Sequence, residues 1–502
     1  MSLKRNIVAN YASQLYVTAI GIVMVPLYVR HMGAEAYGLV GFFSMLQAWF
    51  QLLDVGLTPT MARATATYSG GGSDALTLRR LLRALEAIFV GIAIVGAIGL
   101  IAASPFVASK WLKVRALPLE EVQQAVMLIA LIVALRWVSG LYRGAISGFE
   151  RQVWLSGVNI AIATTRFVFV MPVLLFVGTS PVYFFTYQLL VAVAELLLLA
   201  AYTYRLLPAT REGERINWQF APLRGVLNFS LTIAFTSGVW VLVTQTDKLV
   251  LSKLLPLSEY AYFTIAVLVA GGVTILSAPI TGALLPRLTR LVVAGQEEEV
   301  LRLYREATEL VTAVVLPASL VLALFAQQIL WAWTGDASVA AKAAPILRLY
   351  ASGNAILSLA AFPYYLQYAK GDLKLHLIGN ALFVTFLIPA LIWATLKHGV
   401  LGAGYAWLGA NAAYFLIWVP RVHSKFAKGI HAKWLADGIL KPVALPLAVG
   451  MITLETIRWP ENRASLAGVL IAIGAALLVL TGMGCKAVRR RVLAKNLKPA
   501  VP

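Results

Sequence analysis

Along this chain, blocks of about twenty mostly apolar residues alternate with short polar or charged connections, and a block of that size wound as a helix crosses the roughly 30 Å hydrocarbon core of a bilayer. The blocks lack the strict apolar/polar alternation that marks strands of a membrane barrel. The pattern predicts an all-α polytopic membrane protein with about fourteen transmembrane helices, at 7–29, 39–62, 81–103, 123–147, 156–178, 182–204, 225–247, 260–285, 308–333, 343–367, 375–396, 402–420, 438–457 and 464–485. Nearly everything between them is short connection, which leaves no room for a soluble domain.

Composition agrees with this reading. The 502 residues are 60% hydrophobic and 13% charged, with a mean hydropathy of +0.80, and soluble chains carry about twice that charged share. A net charge of +20 would suit a nucleic-acid partner, but its placement decides otherwise. With Lys4 and Arg5 in the cytoplasm, most of the 42 Lys and Arg fall in cytoplasmic loops or tails, the asymmetry of the positive-inside rule. Both termini are therefore expected in the cytoplasm, and the basic stretch at 486–498 reads as a tail beside anionic membrane lipid. The first helix follows a short basic stretch, yet it is too long for a signal peptide and reaches Arg30 and His31 without a small-residue cleavage site, so it is read as an uncleaved span.

Conventional site chemistry is sparse. Cys485 is the only cysteine, which excludes intrachain disulfides. His31, His376, His398, His423 and His431 show no metal-ligand spacing on a common helix, and the Gly run at 70–72 lacks the Lys-Ser/Thr of a phosphate-cradling loop. No metal, cofactor or ATP-driven step is expected.

An internal repeat appears when Asn10 is laid on Asn228: NYASQLYVTAIGIVMVPLYVRHM (10–32) then runs beside NFSLTIAFTSGVWVLVTQTDKLV (228–250) without a gap. GAEAYG (33–38) falls beside LSEYAY (257–262), and LTPTMAR (57–63) beside LLPRLTR (284–290). Six helices per half is an even number, so the halves are expected to be related by an axis along the membrane normal. The organisation predicted is a six-helix lobe over 1–220, a second over 221–435, and an extra helix pair with a basic tail over 436–502. Two lobes imply a cavity between them.

Polar side chains mark which helix faces meet water. Ser44, Gln47, Gln51, Asp54 and Thr58 step by three and four along the second predicted helix. Asn10, Gln14 and Thr18 do so on the first, and Asn228, Thr232, Thr236, Trp240 and Asp247 on the seventh. Such stripes line aqueous cavities or hydrogen-bond between packed helices. Arg136 and Arg143 stand seven residues apart in the fourth helix, on one face, and Arg166 is central in the fifth, seven after Asn159. Burying one such charge in a bilayer costs about 2.5–3.5 kcal/mol, so intramembrane arginines are candidates for function. Glu195, mid-span in the sixth helix, is the available partner for Arg166. Arg348, Lys370 and Lys374 add cations around the tenth and eleventh helices, and Gly140, Gly144, Ser147 and Gly148 keep the fourth slim for a close neighbour or a bulky substrate. Gly21, Pro26 and Pro172 are candidate bend points. Asp54, Glu195 and Asp247 are the carboxylates available for ion coupling.

PLYVRHMGAEAYG (26–38), followed by LLDVGLTPTMARATA (52–66), resembles the start of the polysaccharide-transporter branch of the multidrug/oligosaccharidyl-lipid/polysaccharide exporter superfamily, in particular Wzx-type O-antigen flippases. Gly33, Glu35, Tyr37 and Gly38 fit the family pattern and Met32 stands at its Leu position. TDKLVLSKLL (246–255) and SEYAYFTIA (258–266) resemble the motifs of the second half, with Ala261 replacing the usual Gly. The resemblance covers roughly residues 1–435 and implies a flippase, not an enzyme, of the bacterial inner membrane. It implies alternating-access movement of undecaprenyl-diphosphate-linked oligosaccharide from the cytoplasmic to the periplasmic leaflet, with a polysaccharide polymerase and chain-length regulator as partners. Arg136, Arg143, Arg166, Arg348 and Lys370 are the candidate diphosphate and acidic-sugar contacts, because guanidinium groups present planar donors to phosphate oxygens. Gln47, Gln51, Asn10 and Gln14 are candidates for sugar hydroxyls. The alternatives are a lipid II flippase of the MurJ type and, from another class, a membrane glycosyltransferase or polymerase. The longest expected periplasmic loop, 104–122, carries only Glu120 and Glu121 as acidic residues, which argues against the enzyme.

Overall fold

The computed structural model describes residues 3–54, 56–209 and 227–490. Among them the chain is helical throughout, with one isolated bridge between Lys113 and Pro256 in place of any sheet. It divides into two compact units, Met1–Ala261 and Tyr262–Pro502.

The first helix, α1, is assigned continuously over Leu3–Phe50. At 1.5 Å per residue 48 residues would reach about 70 Å, twice the bilayer core, so one straight span is impossible. The chain breaks at Gly33, whose φ of 83° and ψ of 163° lie outside the helical region, a conformation open to glycine because it lacks a Cβ. The two predicted spans 7–29 and 39–62 lie on either side, and the interruption falls at Gly33 rather than at Gly21 or Pro26. Just beyond it, both carboxylate oxygens of the buried Glu35 accept backbone amides, from Arg115 (2.5 Å) and Ala116 (2.7 Å). The family motif around Gly33 is thus structural: it turns the chain and ties the connection before the next helix pair to the turn.

The second predicted helix requires correction. It stops at Phe50, continues as a 3₁₀ turn over Gln51–Asp54, and restarts as α2, Leu57–Ser69, after Gly56 at φ 74°. Ser44, Gln47, Gln51, Asp54 and Thr58 therefore do not form one continuous helical face. Asp54 instead caps the restart, its Oδ1 accepting the Thr58 amide (3.0 Å) and hydroxyl (2.8 Å). That satisfies a donor the new helix leaves open.

Next come α3 (Ala75–Phe106), α4 (Leu119–Gly148), α5 (Gln152–Phe167), α6 (Val170–Phe176), α7 (Pro181–Leu206) and α8 (Leu227–Leu254). A core formed by α2, α3, α4 and α7 holds Leu85, Phe89, Trp137, Leu141 and Leu199, with Phe89 stacked on Trp137 at 4.4 Å. The glycines of α4 do admit a close neighbour. A Cβ on Gly144 would lie 2.6 Å from the carbonyl oxygen of Thr58, and one on Gly148 would collide with the backbone of Ala62, both on α2. Gly144→Ala is expected to destabilise the protein by about 1–3 kcal/mol through overpacking, whereas Gly157→Ala, with nothing within 4 Å of its Cβ, should be close to neutral. Thermal unfolding of the two variants in the same detergent measures the contrast, and equal midpoints would refute the close approach.

The second unit begins in α9 (Leu257–Val293) and continues through α10 (Glu297–Leu324), α11 (Ala326–Thr334), α12 (Ala337–Ala360), α13 (Phe362–Ala369), α14 (Lys374–His398), α15 (Val400–Ala413), α16 (Val419–Phe426), α17 (His431–Leu435), α18 (Lys441–Thr456) and α19 (Arg463–Gly484). Its core gathers Tyr304, Phe362, Val419 and Trp434, and a satellite cluster of Phe325, Leu466, Leu470 and Leu477 seats α19.

Among the described residues eleven helical segments are long and apolar enough to cross a membrane. All fourteen predicted spans fall on helices, but the first two share α1, and α8 and α12 stand outside the eleven. In α12 the reason is composition, since Lys342, Arg348, Ser352 and Asn354 interrupt its apolar run. The side chains of Asn228, Thr232 and Thr236 and the tail beyond residue 490 lie outside the described residues.

Candidate functional site: an arginine cluster at an interrupted helix

Both arginines of α4 turn inward against α7, and their spacing is matched there. Arg136 Nη2 donates to Gln188 Oε1 (3.1 Å), and Arg143 Nη2 to Glu195 Oε1 (2.5 Å). Seven residues separate each pair along its own helix, about 10.5 Å of rise, so α4 and α7 run parallel with two polar rungs between them. Arg143 Nη1 also donates to Asn159 Oδ1 of α5. The expected Arg166–Glu195 pair is therefore corrected: the carboxylate belongs to Arg143, because α4 rather than α5 presents its cation to that turn of α7.

Arg166 sits where the fifth predicted helix breaks. The regular hydrogen-bond ladder lapses at Val168 and Phe169, which keep right-handed backbone dihedrals, and the Phe169 amide reaches back five residues to Thr164 O (3.3 Å). Pro172, a candidate bend point, follows in the first turn of α6, where it has no N–H to give the preceding turn. The last three carbonyls of α5 each take a side-chain donor instead. Tyr187 Oη donates to Thr165 O (2.9 Å), Gln188 Nε2 to Arg166 O (2.8 Å) and Tyr28 Oη to Phe167 O (2.5 Å). Gln188 thus bridges the Arg136 guanidinium and the Arg166 carbonyl. A break of this kind survives at membrane depth when neighbouring side chains satisfy the freed backbone, and discontinuous helices mark binding sites in secondary transporters.

Several buried polar atoms of the cluster have no hydrogen-bond partner among the described residues: Nε and Nη1 of Arg136, Nε of Arg166 and Oε2 of Glu195. The guanidinium carbons of Arg136 and Arg166 lie 5.1 Å from the ring centroids of Phe43 and Phe167, which gives partial compensation through the aromatic quadrupole. Three cations face one carboxylate, so the group is net positive, with donors left for an anion. Gln188→Leu is expected to strand the Arg166 carbonyl and the Arg136 donor together, costing about 1–3 kcal/mol per orphaned group. A thermal midpoint within error of wild type would show that these bonds carry no stability.

The remaining predicted residues lie elsewhere. Asn10, Gln14 and Gln51 are exposed and Gln47 is half-buried. Asp247 is buried, its Oδ1 accepting the Lys248 amide (2.8 Å) with the Lys248 ammonium at 3.5 Å. Arg348 is exposed on α12. Lys370 is paired with Glu297 at 2.9 Å in a connection. Nearby, Asp372 takes a hydrogen bond from Lys425 (2.6 Å) that holds its carboxyl below the usual range. Lys370 thus joins a surface ion-pair group of the second unit. Gln188, Tyr28 and Tyr187 went unnoticed in the sequence, although Gln188 and Glu195 repeat the seven-residue spacing of Arg136 and Arg143.

An all-helical, multi-pass architecture with a net-positive polar cluster where a helix is interrupted defines a polytopic membrane-protein fold, and solved structures share it. A solved structure of "Lipid II flippase MurJ, inward closed conformation" superposes with a TM-score of 0.71 at 13% identity, covering 97% of this chain and 100% of that one. An inward-facing multidrug resistance MATE family transporter of the MOP superfamily gives 0.63 at 16% identity, over 82% of this chain and 95% of that one. The profile of the family described as "Polysaccharide biosynthesis protein" matches residues 3–292, and the chain belongs to that family. A Shigella flexneri relative named "Putative O-antigen transporter" is 21% identical over 418 residues, 81% of this chain and 94% of its own length. The resemblance to the polysaccharide-transporter branch is borne out, and these relatives and fold neighbours are transporters and flippases rather than enzymes.

Proposed function

We propose that this protein is a flippase of the bacterial inner membrane. It moves undecaprenyl-diphosphate-linked oligosaccharide repeat units, of O-antigen or a related polysaccharide, from the cytoplasmic to the periplasmic leaflet by alternating access. The observation that carries the reading is the Arg136–Arg143–Arg166 group, with Arg136 buried and the other two half-buried, whose three guanidinium groups face a single carboxylate among the described residues. A diphosphate is the anion whose several oxygens suit such planar donors. In this reading both termini are cytoplasmic, the lobes span 1–220 and 221–435 with the extra pair at 436–502, and the polymerase and chain-length regulator receive the flipped unit. Of Asp54, Glu195 and Asp247, Glu195 is the carboxylate in the arginine group, so it is the one whose charge the substrate anion would meet.

The test is reconstitution of the full chain in proteoliposomes containing a fluorescent undecaprenyl-diphosphate oligosaccharide in both leaflets. Accessibility of the glycan to an externally added glycosidase reports on flipping. The accessible fraction should rise from about half toward completion only with protein, and no difference from protein-free vesicles would end the proposal. A second reading, lipid II as cargo, is favoured by the end-to-end superposition on the lipid II flippase structure. Rescue of a strain depleted of its lipid II flippase would select it.

A further inference from the structure

At one end of the second unit, α10, α17 and the segment after α19 enclose a cavity of about 320 Å³. Its walls carry five cations and three carboxylates, and the carboxylates are largely committed. Glu309, buried, accepts the Ala487 amide (2.7 Å) and so pins the segment after α19 onto α10. Asp437 pairs with Lys441 (2.6 Å) and Lys486 (3.3 Å). Glu306 lies 4.0 Å from Arg302, which Glu299 also holds at 2.6 Å. Arg305, Lys433 and Arg490, all exposed side chains lining the cavity, have no carboxylate partner among the described residues. Three stretches distant in sequence thus bring a net positive charge to one cavity, which favours an anion there.

We propose that this cavity binds the phosphodiester headgroup of an anionic glycerophospholipid, independently of the transported substrate. The surroundings favour a lipid over a soluble anion. Leu440, two residues beyond the lining Gly438 and immediately before α18, and Met483, three before Lys486 in the last turn of α19, are 53% and 62% exposed. They offer apolar surface for acyl chains beside a cationic seat for the phosphate, and basic pockets between transmembrane helices are recurrent lipid headgroup sites. Arg305 and Arg490 supply planar donors to phosphate oxygens, and Lys433 a compact charge.

Native mass spectrometry of the full-length protein in detergent tests this, with phosphatidylglycerol, phosphatidylcholine and inorganic phosphate as separate arms. Phosphatidylglycerol should bind at least about tenfold more tightly than phosphatidylcholine. The combined variant Arg305→Gln, Lys433→Gln, Arg490→Gln should lose that preference, at about fivefold per cation removed. A charge-matched control, Arg287→Gln, Arg290→Gln, Lys428→Gln, changes exposed cations outside the cavity lining and should leave phosphatidylglycerol binding within about twofold. Should the triple variant fail to fold, Lys433→Gln alone should weaken phosphatidylglycerol about fivefold. Equal losses in variant and control would mean diffuse surface attraction and overturn the site. Undiminished binding in the variant would also overturn it, as would displacement of the lipid by inorganic phosphate at equal concentration, which would make the cavity a soluble-anion site.

Discussion

Arg136→Gln is expected to reach the membrane at wild-type abundance and to lower polysaccharide export about a hundredfold, in line with the roughly 2–5 kcal/mol lost when one partner of a buried charge interaction is removed. Abundance should hold because a glutamine amide can still donate to Gln188 while the buried charge is removed. Arg136 is 7% exposed, it makes one side-chain hydrogen bond to Gln188, and two of its nitrogens lack partners among the described residues. Removing a buried, under-satisfied cation relieves a desolvation cost. Transport should suffer because those same nitrogens are the donors available to a diphosphate. Arg136→Lys should restore export only in part, since an ammonium keeps the charge but lacks the planar fork. Quantitative immunoblotting of membranes beside surface glycan analysis makes the measurement, and full export by a well-expressed Arg136→Gln protein would remove Arg136 from the substrate path.

The opposite balance is expected at Arg143. Glu195 is 5% exposed at its side chain and has Arg143 as its direct ion-pair partner at 2.5 Å, so Arg143→Ala removes that contact and leaves the buried carboxylate with only the more distant charges of Arg136 and Arg166, at a cost of up to about 3–5 kcal/mol. Much of a marginally stable protein would be lost from the membrane. Arg143→Ala combined with Glu195→Ala should regain abundance because neither charge is then stranded, while export stays impaired if the pair also handles the anion. Arg166→Ala should not reduce abundance in the same way, its guanidinium being paired with no carboxylate among the described residues. If Arg166→Ala and not Arg143→Ala is the variant rescued by removing Glu195, the assignment of the carboxylate to α4 is wrong.

Individual residues show which features were legible in the chain. Arg136 and Arg143 could be placed on one helical face from their spacing alone, because 3.6 residues per turn is a property of the backbone. The slimness of α4 at Gly144 and Gly148 was readable for a similar reason: absent side chains leave room whatever fills it. The partner of Glu195 was not readable. Spacing says where a side chain points around its own axis, and says nothing of which neighbouring helix turns toward it. The stripe from Ser44 to Thr58 misled because its three-and-four spacing presupposes an unbroken helix, and Gly56 at positive φ ended that continuity. The α5 break had one sequence signal, Pro172. Its location at Val168–Phe169 depended on Tyr28, Tyr187 and Gln188 arriving from α1 and α7 to satisfy three carbonyls.

The sequence by itself determined the membrane class, the approximate placement of most helices and the family, because each rests on local quantities: apolar run length against bilayer thickness, and turn residues such as Gly33 whose backbone demands are met within a few positions. Only the tertiary structure decided that Gln188 joins Arg136 to the broken end of α5, that Glu195 serves Arg143, and that Lys370 belongs to a surface ion pair with Glu297. Those outcomes depend on which helices pack side by side, and in a bilayer that choice rests on steric fit and interhelical hydrogen bonds distributed over many residues, with no hydrophobic drive between helices to favour one neighbour over another.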